Sequence, residues 1–217
     1  MVLVRNPRAR RYVLRLRPDG SARVTIPRGG SASEARRFAE RNERWLERAL
    51  ERLSAQLARP KEWLIGTEIL FRGEWVKLEA GMNGQSSLIR FGSEAVHAPE
   101  AAADLRPKIQ QHLWRLAAKE LPSQVLESAA RHQLTVHRVT VRNQRSRWGS
   151  CSRRGTISLN WRLIQSPPFV RDYLILHELM HLRQMNHTVH FWREVERVCP
   201  DYSQAEQWLK QHADLLK

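Results

Sequence analysis

The sequence is short of cysteine, with only Cys151 and Cys199 in 217 residues. Two thiols cannot build a disulfide framework, and their separation has no metal-site spacing, so both read as buried small hydrophobes. Long hydrophobic runs are also missing. No stretch approaches the roughly 18 consecutive apolar residues that a membrane helix needs. The opening MVLV runs straight into RNPRARR, without the apolar middle region of a secretion signal. Together these absences predict a soluble, cytoplasmic protein with no membrane partner. No internal repeat, low-complexity tract or Gly/Ser linker is visible. Negative charge is scarce as well: 22 Asp and Glu face 37 Lys and Arg, which leaves a net charge of +15.

What is present is enough for a core. Apolar residues make up 41% of the 25.4 kDa chain, a share that supports one large domain or two small ones. The positive excess is concentrated: residues 1–60 hold 15 Arg against 6 Asp or Glu, nine of the +15. Summed surface charge governs association with polyanions rather than fold. The Arg-rich surface therefore reads either as a solvated face or as a nucleic-acid-binding surface.

Along the chain, YVLRLRPDGSARVTIP alternates apolar and polar residues on both sides of Pro18-Asp19-Gly20, which predicts an antiparallel hairpin. Ser31 with Glu34 makes a capping box, and apolar residues at helical spacing follow until Arg59-Pro60, so one helix is expected there. EILFRGEWVKL and SSLIRF read as short strands with turns at Gly73 and Gly84. Near Asp104 the pattern turns helical again, with Pro122 expected to start a new helix or kink this one. TVHRVTV and TISLNWRLI are β-rich, NQRSRWGSCSRRG between them is turn-like, and a helix is expected from about Phe169. The fold class expected is α+β. Residues 1–101 form an N-terminal basic unit of β-hairpin and helix, and residues 102–217 form a second domain.

Four of the nine histidines fall within Tyr173–Trp192. His177, Glu178 and His181 spell H-E-L-M-H, and at about 100° per residue the two imidazoles share one helix face and can reach one ion. Zinc held this way needs a third protein ligand and an open position for water, whose proton the adjacent glutamate takes as a carbonyl is attacked. Leu174, Ile175, Leu176, Leu179, Met180 and Leu182 make the surrounding helix strongly apolar, so its polar stripe would be costly without partners. The third ligand has several candidates: His187, His190, Glu194, Asp201 and Glu206. A straight helix would carry His187 about 15 Å along the axis from His177. The helix is therefore expected to end soon after His181 and the chain to reverse at Gln184-Met185-Asn186, with Asn186 in a left-handed conformation. His187 is the favoured ligand.

RWGSCS (Arg147 to Ser152), ISLNWRLI (Ile157 to Ile164), YLILHELMHL, and NH followed by FW (Asn186, His187, Phe191, Trp192) together resemble the YgjP-like metallopeptidases, relatives of the SprT-like proteases. The opening hairpin is similar too, and the likeness is weakest between about residues 60 and 135. It implies a zincin-like metallopeptidase domain over 102–217. It further implies one Zn2+ ion held by His177, His181 and His187, with Glu178 as catalytic general base. The ligand spacing equals that of the metzincins, but Gln184 stands where those carry glycine and no Met-turn is evident, which argues against that group. ISLNW is expected to be the edge strand with which an extended substrate pairs, and Trp148-Gly149-Ser150 to shape the cleft. Trp148, Trp161 and Trp192 read first as core packing around the helix.

Two functions follow. In the first, the chain is a zinc peptidase acting on a protein or peptide substrate, with Tyr202, His190 or Arg147 as the second donor to the oxyanion. In the second, the metal is structural and the Arg-rich face binds nucleic acid, or the peptidase acts on DNA-bound proteins.

Overall fold

The computed structural model describes residues 1–57, 62–81, 88–98 and 104–216. Two compact units, residues 1–61 and 62–217, make up the chain. The boundary expected between residues 101 and 102 and the turn expected at Gly84 lie outside the described residues. So does the helix end at Arg59-Pro60.

In the first unit, β1 (Val2–Arg5) pairs in parallel with β3 (Ala22–Ile26), which pairs antiparallel with β2 (Val13–Leu16). The hairpin stands where the alternation places it. Its turn is closed by Arg17 N–H donating to Ser21 O (2.9 Å) and Ser21 N–H to Asp19 Oδ1 (2.8 Å), with Gly20 at φ +79°. β1 escaped the sequence reading because four residues carry too little pattern. Ala22, Val24 and Ile26 alternate inward, and Val24 and Ile26 pack with Ala35 and Ala39 of α1 (Ala32–Arg41). The Ser31–Glu34 capping box is formed as expected. The single helix is not: α1 stops at Asn42, and α2 (Glu43–Leu57) starts after it. Asn42 Nδ2 donates to Phe38 O (2.7 Å) while its own carbonyl accepts from Trp45 and Leu46. Its short amide thus competes with the backbone and interrupts the helix.

The second unit begins with the hairpin of β4 (Glu68–Phe71) and β5 (Glu74–Lys77), turned at Arg72-Gly73 with φ of +53° and +91°. β6 (Glu79–Ala80), β7 (Leu88–Phe91) and β8 (Glu94–His97) form a small antiparallel sheet. Helix α3 (Arg106–Arg131) then runs through Pro122 without ending, contrary to a fresh start there. Ile109, Leu113, Ala117, Leu121, Val125 and Ala129 recur every four residues as one buried stripe. Each larger side chain among them contributes about 1.5–3 kcal/mol by leaving water, enough to carry the helix past one missing N–H.

The stripe shares a core with β11 (Thr156–Asn160), the 3₁₀ turn Trp161–Gln165 and α4 (Pro168–Met180). β11 is the middle strand of its sheet, parallel to β9 (Arg138–Arg142) on one side and antiparallel to β10 (Gly149–Cys151) on the other. The expectation of an edge strand at ISLNW is therefore corrected: both sides of β11 are paired, and β10, which lay inside the turn-like segment, is an edge. Helices α5 (Val189–Val198) and α6 (Tyr202–His212) close the unit against α4. The secondary structure is α+β, as the sequence predicts. Among the described residues, no helix is long and apolar enough to cross a membrane.

Candidate active site

Apolar periodicity buries α4 among Val170, Tyr173, Ile175 and Leu179, and this presses His177 and Glu178 toward a cleft. The helix ends at Met180. His181 keeps helical angles (φ −63°, ψ −20°), so the four-residue spacing to His177 still places both rings on one face. Leu182 N–H then donates to Leu179 O, and Arg183 and Gln184 N–H to Met180 O, which tightens the last turn. The chain reverses where expected, but Asn186 is not left-handed. Among the described residues only Arg72 and Gln133 combine a side chain with positive φ, and the tight turn with Thr188 N–H donating to Asn186 O does the work instead.

The reversal brings His187 back to the helix. One ring nitrogen from each of His177, His181 and His187 lies within 4.8 Å of the others, and His177 Nε2 stands 3.1 Å from His187 Nε2. Phe191, fully buried at the start of α5, supports all three rings at centroid distances of 5.0, 4.4 and 4.8 Å. His181 Nδ1 is 3.0 Å from Gln184 O, which fits an Nδ1–H donor and leaves Nε2 for another partner. Tyr173 Oη lies 3.4 Å from His177 Nδ1 and donates to Glu206 Oε1 at 3.2 Å. Burial pushes the His177 imidazole down to about 4, aided by its two neighbouring histidines, so the ring stays neutral. Imidazole nitrogens bound at about 2.0–2.1 Å around a tetrahedral ion stand about 3.3–3.4 Å apart. The donor set and its spacing therefore fit a divalent metal.

The other candidates for a third ligand go elsewhere. Glu194 pairs with Arg183 and Arg197, Glu206 with Tyr173 and Lys210, and His190 is exposed on α5. Asp201 is the N-cap of α6.

Glu178 is 5% exposed, and burial pushes its carboxyl up to about 7 while the Arg147 guanidinium pulls the other way. Gly149 on β10 makes this placement possible, since a Cβ there would stand 2.5 Å from Glu178 Oε1. The glycine thus does what its position beside Trp148 suggests. The cleft, about 370 Å³, is walled by β10 and by Arg147, Trp148, Glu178 and the three histidines. Of the three oxyanion donors considered, Arg147 is the one lining it. Tyr202 instead stacks on Tyr173 and Trp192. Trp161 is buried core, while Trp148 and Trp192 pack against the core and also face the site.

Sequence reasoning missed Tyr173 and Cys151. The tyrosine was hidden within an apolar helical run, although its place four residues before His177 was a usable signal. Cys151 lines the cleft, and burial beside Glu178 pushes its thiol up to about 11, a neutral and inert state.

A search of the curated proteins returned no match. Two crystal structures are similar in part. They are the metallopeptidase zymogen of Pyrococcus abyssi abylysin (22% identity, TM-score 0.38, 42% of this chain and 93% of that one) and the metallopeptidase zymogen of Methanocaldococcus jannaschii jannalysin (20%, 0.39, 44% and 98%). Residues 10–212 match the family profile described as YgjP-like, metallopeptidase domain. With that match spanning nearly the whole chain, the protein belongs to the YgjP-like metallopeptidase family.

Proposed function

We propose that the chain is a zinc-dependent peptidase in which His177, His181 and His187 hold one ion and Glu178 is the general base. The observation that carries this reading is the convergence of three imidazole nitrogens within 4.8 Å in the cleft that also holds the Glu178 carboxyl. When bound, the ion supplies Lewis acidity, lowering the pKa of a water and polarising the substrate carbonyl. The chain's own groups do the rest. Neutral His177 offers Nε2, and Tyr173 Oη and Gln184 O orient the His177 and His181 rings through their Nδ1 atoms. Glu178 takes a proton on its carboxylate and can return it to the leaving amine, a role suited to a carboxyl raised toward neutrality. Arg147 lines the same cleft and supplies positive charge for the carbonyl oxygen as it becomes anionic. Edge strand β10 offers its backbone to an extended peptide.

The test is metal content of the purified protein beside its Glu178→Gln variant, with both assayed on an unfolded protein. One equivalent of zinc in each, with hydrolysis reduced by about 10²- to 10⁴-fold in the variant, is expected. Equal hydrolysis by both proteins would overturn the assignment of Glu178.

A further inference from the structure

The catalytic cleft shares a wall with a second cavity. This cavity, about 340 Å³, is lined by Arg145, Arg147, Arg162, Gln144, Trp148 and Asn160 among others, and its lining includes three arginines and no carboxylate. Arg147 and Trp148 belong to both cavities.

The walls of this cavity are held in place. Asn160, 2% exposed at the end of β11, donates through Nδ2 to Gln144 O (2.8 Å) and Arg147 O (3.2 Å). Its Oδ1 accepts from Arg162 N–H (3.1 Å), and its own N–H donates to Trp148 O (2.8 Å). One buried side chain thus ties the 144–148 loop to the residue that follows Trp161. Arg162 lies over the Trp161 ring, 4.6 Å from its centroid, and donates to Asn143 Oδ1. Its buried Nε has no hydrogen-bond partner. Among the described residues, the Arg145 guanidinium has neither an ion pair nor a hydrogen bond. A cavity lined by three arginines and no carboxylate, one of whose guanidiniums is unpaired, favours an anion.

The direction of substrate entry points to the source of that anion. β10 begins at Gly149, directly after the 144–148 loop, and Gly149, Ser150 and Cys151 line the catalytic cleft. An extended chain pairing with β10 advances about 3.3 Å per residue and presents alternate side chains to one face. Such a chain runs past Arg147 and Trp148, the residues that line both cavities.

Resting on the peptidase reading, we infer that this cavity is the subsite that selects substrate. It takes a carboxylate, from an acidic side chain or the free C-terminus of the peptide, held by Arg145 and Arg162. A planar guanidinium matches a carboxylate with two parallel hydrogen bonds and a full charge, whereas an amide of the same shape offers one acceptor oxygen and no charge.

The test reads binding before cleavage. Fluorescein-labelled peptides are titrated by anisotropy into the Glu178→Gln protein. One series replaces a single Gln by Glu at successive positions of an amidated peptide, and another compares a free with an amidated C-terminus on a neutral peptide. At one position or at the C-terminus, the carboxylate form is expected to bind about tenfold tighter. Adding Arg145→Gln or Arg162→Gln should remove that advantage. Arg145 is exposed on the loop, so its variant is expected to fold even if loss of the Arg162–Trp161 stack harms the other. The two series identify the carboxylate as side chain or C-terminus. Equal binding of carboxylate and amide forms, or an advantage that survives both substitutions, would overturn the inference. The parent protein is then given the same peptides. Cleavage without carboxylate preference would sink the subsite and leave the peptidase reading standing, whereas carboxylate-selective binding without cleavage would do the reverse.

Discussion

Among the described residues of the first unit every arginine but the half-buried Arg23 is exposed, while in residues 62–217 an arginine, a glutamate and a histidine are buried. Arg15, Arg17, Arg36, Arg37 and Arg41 are all exposed, and the unit's core is small, built on Val24, Ile26, Ala35 and Ala39. Arg171, Glu178 and His181 of the second unit are 4%, 5% and 7% exposed. A solvated charge costs the fold little, so the first unit's charge speaks to solubility and partners rather than architecture. Buried charge is costly unless it is paired. Arg171 faces Glu120 at 3.6 Å, and Glu120 also binds Arg72 at 2.7 Å, which makes that cluster structural. The Glu178 carboxyl makes no hydrogen bond among the described residues and is pushed up to about 7 instead. Burial that is not offset by pairing marks Glu178 as the candidate reactive group.

The comparison can be broken most forcefully at His187. His187→Ala should lower zinc affinity by more than about 100-fold, beyond the loss usual for an outer partner of a metal ligand, while the apolar core keeps the protein folded. Zinc occupancy equal to the parent's under competition with a chelator would remove His187 from the ligand set. Gly149→Ala comes next. The added methyl must displace the Glu178 carboxyl, and a shift of about 1 Å in a reacting group costs about 100-fold in hydrolysis, here with zinc content retained. Unchanged turnover would mean that Glu178 has slack its burial does not suggest. Tyr173→Phe removes the hydroxyl beside His177 Nδ1 and should weaken zinc binding by about tenfold with little effect on stability. No change in zinc dissociation would show that the hydroxyl serves only Glu206. The smallest effect belongs to the first unit. Ser31→Ala deletes the capping box of α1 and should cost about 1 kcal/mol in chemical denaturation, with zinc affinity and hydrolysis as in the parent. A loss of zinc affinity in that variant would show that the two units are not energetically separate.

Local signals were the legible part of this chain. The Pro18-Asp19-Gly20 turn, the Ser31–Glu34 cap and the HExxH face of α4 rest on interactions spanning four residues or fewer, and each formed as its pattern requires. Where two local tendencies competed, pattern reading failed. Asn42 reads as an ordinary position in an amphipathic run but caps α1 instead, and Pro122, read as a new helix start or a kink, starts no new helix because a buried stripe runs on both sides of it. β10 was illegible for another reason: three residues rich in Gly, Ser and Cys have no strand character until β11 pairs with them.

By itself the sequence determined that His177 and His181 share a helix face with Glu178 beside them, because helical geometry ties residues four apart whatever surrounds them. It also determined that this helix is buried, through its apolar neighbours. Only the tertiary structure decided which distant groups meet those three side chains. The turn after Met180 carries His187 to within 3.1 Å of His177, Phe191 supports the rings, and Gly149 lets β10 approach the Glu178 carboxyl. Asn160 anchors the arginine-lined loop beside them. Such meetings depend on how strands and helices pack across long stretches of chain, and packing is a property of the whole core that no short window of sequence contains.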